Sequence, residues 1–272
     1  MGGGCYGTFY ARQLERARAR GVLTYERVLV VDRDAHCQMT RDLAPSPDRE
    51  LVVQGWDGFF DEYLDGRILS PPRTRGSSVA PELAAEAAAR LMSLKRHGPA
   101  SPLPQSSVPG PQSSYIVPSP LMPHLMFNWL MRRARALWPD RSITQQPLTD
   151  PVGTPYDTLA PDGTRYVSWA DWLCPTHCIE PATCPVIRAP RMWEMSETAK
   201  SVVQRLSLSR EVFGPALFVT RHLTDGVGAF SVDDAAASAG LLADAGASGR
   251  PASLLVGTVS ACHGALGLLR VG

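Results

Sequence analysis

Four short runs read as strands with no polar face: "RVLVVDRD" at 27–34, "ELVVQG" at 50–55, "PALFVTRH" at 215–222 and "ASLLVGTVS" at 252–260. A strand covered by helices on both sides carries near-continuous apolar residues, as in parallel sheets. Helix-spaced segments lie between them: 8–20, "WDGFFDEYL", 121–137, "ETAKSVVQRL" and "SVDDAAASAGLLADAG". The last opens on a capping box, Ser231 with Asp234. This alternation predicts an α/β fold with one parallel sheet.

Insertions divide that pattern. Residues 1–138 form a first half that holds a flexible Pro/Ser-rich insertion over 70–114, with an Ala-rich helix from Pro81 to Lys95. The strand "SYIVPSP" resumes the order. Residues 139–195 form an irregular, cysteine-rich insertion that includes one hairpin, "LAPDGTRYVSW", turning at Asp162 and Gly163. Residues 196–272 continue the sheet as a second α/β half.

At the start, "MGGGCYG" sets Gly2, Gly4 and Gly7 in the spacing G-x-G-x-x-G ahead of a helix, and the next strand ends in Asp32. With these features the chain resembles the Rossmann-type NAD(P)-binding proteins, closely over residues 1 to about 55 and beyond that only in alternation. The resemblance implies a doubly wound parallel sheet. It implies that Gly2 permits the turn, Gly4 admits the pyrophosphate and Gly7 lets helix and strand approach. Asp32 would accept hydrogen bonds from the ribose, favouring NAD over NADP, with Arg33 beside it softening the preference. The first strand of the family pattern is missing, because only Met1 precedes the turn. A sheet without it would leave buried backbone groups unpaired, so the natural protein is expected to begin upstream.

The segment "CPTHCIEPATCP" gathers Cys174, Cys178 and Cys184, with His177 beside the middle one. Thiolates are soft ligands for zinc or for iron–sulfur clusters, although C-x3-C-x5-C matches neither a zinc ribbon nor the ferredoxin run. A tetrahedral set needs a fourth donor. Cys262 in "SACHG" is chosen for it, ahead of His177, Glu180 and His263, whereas Cys5 and Cys37 read as packing residues. His222, His124 and Cys262 each follow a strand and should face a common crevice.

A formal charge of +1, with 27 basic and 26 acidic residues, leaves no footprint for nucleic acid or an anionic membrane. The longest apolar stretch, 252–272, is broken by Ser, Cys, His and Gly, and no secretory leader pattern opens the chain. A cytoplasmic location and reduced cysteines are expected. Neither a Tyr-x-x-x-Lys pair nor a Gly-x-Ser-x-Gly or HExxH motif occurs, so no catalytic residue is assigned. Two functions fit. One is an NAD(P)-dependent oxidoreductase with a thiolate-bound metal or iron–sulfur centre, acting on a small molecule or a redox partner. The other is a non-enzymatic NAD(H)-sensing regulator stapled by zinc.

Overall fold

The computed structural model describes residues 1–68, 114–119, 122–175 and 178–272. The Pro81–Lys95 helix, nearly all of the 70–114 insertion, and His177 lie outside the described residues. In chain order the elements are α1 (Cys5–Ala19), β1 (Val28–Asp32), α2 (Gln38–Asp42), β2 (Arg49–Val53), α3 (Trp56–Ile68), β3 (Tyr115–Ile116) and α4 (Leu125–Leu137). They continue with β4 (Ile143–Gln146), β5 (Tyr156–Leu159), β6 (Arg165–Ser168), β7 (Thr183–Cys184), β8 (Ala189–Pro190) and α5 (Met195–Leu206). The last are β9 (Val212–Val219), β10 (Arg221–Thr224), β11 (Val227–Ser231), α6 (Val232–Ala247), β12 (Ala252–Val259) and β13 (His263–Val271).

The expected doubly wound parallel sheet does not form. The main sheet has six strands in the order β5-β6-β13-β12-β9, with β4 also on β13, and only β9 and β12 run parallel. The departure begins where β12 turns at Ser260–Cys262 and returns as β13, paired antiparallel from Ala252↔Val271 to Val259↔Gly264. That turn lacks the Asn-Gly or Asp-Gly signature of tight hairpins, so the sequence pattern hides it. β6 and β4 then pair antiparallel along successive halves of β13. The parallel pair β1–β2 stands as a separate two-stranded sheet, and β10-β11-β3 form an antiparallel third.

β12 is buried on both faces because helices cover both. Leu254 and Val256 meet Trp129 and Leu130 of α4 and Leu242 of α6, whereas Leu255 and Val259 meet Met195, Ala199 and Val202 of α5. At one edge of this core, Arg165 and Asp157 form a buried ion pair across β5 and β6. Burial pushes the Asp157 carboxyl up, but N–H donors from Gly153 and Val152 and the guanidinium together outweigh it, and its pKa falls below 3.8.

In the N-terminal unit, Val31 N–H donates to the Met1 carbonyl at 2.8 Å, and Gly3 N–H donates to Asp32 Oδ2 at 2.8 Å. A Cβ on Gly7 would lie 1.5 Å from the Gly2 carbonyl oxygen, so only glycine lets α1 begin that close to the turn. Among the described residues no third strand joins β1 and β2.

Gly7→Ala should therefore destabilise the protein by about 2 kcal/mol, the usual scale of overpacking; an unchanged urea midpoint would refute this close packing. Asp157 stabilises above the ordinary carboxyl pKa of 3.8, and that contribution is lost as pH falls through its lower folded value. Asp157→Asn should lower the midpoint at pH 7 and flatten its fall below about pH 4, read from urea unfolding at both pH values.

Candidate metal centre

Beyond the carboxyl ends of β9 and β12, the main sheet's parallel pair, lies a cavity of about 260 Å³. Cys174, Cys178, Cys184, Cys262, His222 and His263 all line it. The first three come from the segment between β6 and β8, Cys262 from the β12–β13 turn, His263 from the start of β13, and His222 from β10. His124 is elsewhere, against Phe127 and Gly257 in a much smaller pocket. Cys37 is buried and Cys5 exposed.

Local chemistry shapes the loop. Prolines 175, 181 and 185 remove backbone donors, and Glu180 and Arg188 adopt positive φ, 51° and 53°, at its bends. β7 and β8 close its far end. Arg191 holds it from below: its backbone N–H reaches the Ala182 carbonyl at 2.7 Å and its side chain pairs with Glu194.

Glu180, considered from sequence as a metal ligand, ties loop to sheet instead. Its carboxylate accepts the Ser260 hydroxyl at 2.6 Å, Ala261 N–H at 2.9 Å and Cys262 N–H at 3.4 Å. The turn is also fixed through its carbonyls, which accept from Trp169 N–H at Cys262 and from Met195 N–H at Ala261.

Two sulfurs receive N–H donors. Trp193 Nε1 donates to Cys262 Sγ at 3.3 Å and Glu180 N to Cys178 Sγ at 3.4 Å, whereas the buried Trp172 Nε1 has no hydrogen-bond partner among the described residues. Burial nevertheless raises the Cys174 pKa, and negative charge on Cys178, Cys184 and Glu180 raises it further. Burial lifts the Cys262 thiol to about 11. Without a cation Cys174 and Cys262 are therefore neutral thiols. Burial lowers the His222 pKa and keeps its imidazole neutral, with Nδ1 buried and unpaired.

Ser168 and His263 make the remaining polar cluster. The Ser168 hydroxyl donates to the Ala170 carbonyl at 2.8 Å and accepts Ala170 N–H at 2.9 Å, and His263 Nδ1 lies 2.9 Å from the same oxygen. With the hydroxyl hydrogen directed at the Ala170 carbonyl, Nδ1 is assigned as the donor to Ser168 Oγ, and Nε2 faces Cys174. Nε2 is 3.9 Å from Cys174 Sγ. Among the described residues no three His, Cys, Asp or Glu side chains close on one point as a metal cage.

The sequence reading passed over Trp172, Trp193 and Ser168. The signal available was the pair of tryptophan-bearing stretches, "SWADW" and "MWEM", that bracket the cysteines. Trp193 stacks on Trp169, and Trp172 meets it edge-on, each at 6.2 Å between centroids.

No helix among the described residues is long and apolar enough to cross a membrane. No curated protein and no solved structure matches the chain. A family model described as "Uncharacterized protein, C-terminal domain" matches residues 126–272, more than half of the chain, and this span holds the six-stranded sheet and all of the cavity cysteines. The chain belongs to that family.

Proposed function

We propose that the protein is a redox protein of oxidoreductase type, with a thiolate-bound metal or iron–sulfur centre in the cavity beyond β9 and β12. The observation that carries this reading is the convergence of Cys174, Cys178, Cys184 and Cys262 on one cavity from two distant parts of the chain. Hydrogen bonds from N–H groups to sulfur stabilise thiolates and tune the potential of a bound centre. The attraction of each thiolate to a multivalent cation among them outweighs their mutual repulsion, so metal uptake displaces their protons.

Size separates the candidates. A water takes about 30 Å³ of liquid, so a cavity of about 260 Å³ leaves room beside a single four-coordinate ion. It suits a cluster, or a metal with a small substrate beside it. The loop thiolates of Cys174, Cys178 and Cys184 supply three donors, and the β12–β13 turn supplies the fourth, for which Cys262 is the sequence-derived choice.

The glycine turn supports NAD or NADP as the electron partner. The first turn of α1, following Gly2 and Gly4, has no side-chain cap and no acidic residue. Its dipole and N–H groups favour an anion such as a pyrophosphate. Asp32 lies against Gly3 of the same turn. The zinc-stapled, NAD(H)-sensing regulator is the second reading, favoured by the clasp of Glu180 on Ser260, Ala261 and Cys262, which gives the site a structural character.

Visible absorption with iron, sulfide and zinc analysis on anaerobically purified protein separates the readings. Broad absorption with iron and sulfide is expected, lost in Cys174→Ser, Cys178→Ser and Cys184→Ser and kept in Cys5→Ser and Cys37→Ser. A colourless protein with one zinc supports the regulator, and one that binds neither metal sinks both. For the nucleotide, Asp32→Ala should weaken NAD(H) about tenfold, the loss of one charge-assisted hydrogen bond, and narrow the gap to NADP(H) in calorimetric titrations. Equal affinities before and after the change would remove Asp32 from the site.

A further inference from the structure

We infer that His263 ligates the metal through Nε2, on the same metal atom as Cys174, so that the first residue of β13 gives the centre an imidazole in place of the Cys262 thiol. This rests on the reading of the cavity as a metal centre and names its fourth donor. A Zn–S bond of about 2.3 Å and a Zn–N bond of about 2.0–2.1 Å, at a tetrahedral angle, set two donors roughly 3.6 Å apart. Cys174 Sγ and His263 Nε2 stand 3.9 Å apart, so a shift of a few tenths of an ångström gives them a shared metal.

The ring is prepared for that role. A ligating histidine commonly donates its other N–H to an oxygen, which fixes tautomer and orientation. His263 does this through Nδ1 to Ser168 Oγ, whose own hydrogen is held by the Ala170 carbonyl. Ser168 is buried, and β6 pairs it directly with His263 across the ladder, so backbone register sets the distance. Ser168 is therefore a positioning residue.

Cys262 is held differently. Its sulfur accepts the Trp193 indole N–H, its own N–H goes to Glu180, and its side chain is buried beneath the turn. Moving it toward a shared metal would break the tryptophan contact. His263 needs no such loss, because Nε2 has no partner other than Cys174 among the described residues.

Zinc-edge X-ray absorption on the zinc-loaded full chain tests this. The expected shell is three sulfurs at about 2.3 Å and one nitrogen at about 2.0–2.1 Å. His263→Cys should keep zinc and show four sulfurs, and Cys262→Ser should leave the wild-type shell unchanged. Ser168→Ala should keep the nitrogen while weakening zinc about tenfold or more, as loss of an outer-shell partner does. A wild-type shell of four sulfurs overturns the assignment, as does a nitrogen that persists unchanged in His263→Ala. A wild-type chain that takes up no zinc and no iron overturns the metal reading itself and the assignment with it, a failure visible before any variant is made.

Discussion

The carboxylate of Glu180 is the contact on which the cysteine cavity depends. The loop from Leu173 to Met192 carries little that could anchor it by burial: Leu173 is 96 % and Met192 86 % exposed, and Ile179, Val186 and Ile187 are exposed as well. Its position is set by polar clasps. The three donors that Glu180 gathers from Ser260, Ala261 and Cys262 lie on the turn that closes the largely buried β12–β13 hairpin. Hydrogen bonds to a charged group contribute about 1.5–3 kcal/mol each, enough to hold a segment that apolar contact does not. A residue in the left-handed region at Glu180 delivers the side chain in that direction.

That arrangement places negative charge beside sulfurs that would themselves ionise. Glu180 raises the pKa of both Cys174 and Cys262 by its charge, while the indole of Trp193 works in the opposite direction at Cys262. The wall is thus built to carry more negative charge than it can hold alone. In a low-dielectric surrounding such a surplus is settled by protonation or by a cation. Trp193 donates to the Cys262 sulfur and joins Trp169 and Trp172 in an aromatic cluster beside it.

Local elements were legible from the sequence because their signals are local. The Ser231–Asp234 capping box opens α6, Asp162 and Gly163 turn the β5–β6 hairpin, and the helices at α1, α4 and α5 follow their apolar spacing. The sheet was misread because continuous apolar runs say that a strand is covered on both faces and nothing about its direction. β12 is such a strand, yet its partner β13 comes back antiparallel through a turn made of Ser, Ala and Cys. The cavity was legible as composition, three clustered cysteines and a fourth after an apolar strand. The roles of Glu180, Ser168 and the tryptophans were not, since they depend on register between segments 80 or more residues apart in the case of Glu180 and Ser260.

The antiparallel ribbon of β10 and β11 borders the cysteine cavity and packs on α1. At a register shift in β10, His222 lines the cysteine cavity, while its neighbour Leu223, with Val227 and Ala229, packs on Leu14 and Ala17 of α1, the helix that the glycine turn begins. Gln13 of α1 also donates to the Asp225 carbonyl at the ribbon's tip. Two residues adjacent in the chain are thus committed to two different chambers, with no loop between them to absorb slack. A displacement of α1 that kept this packing would carry the ribbon along, and His222 with it.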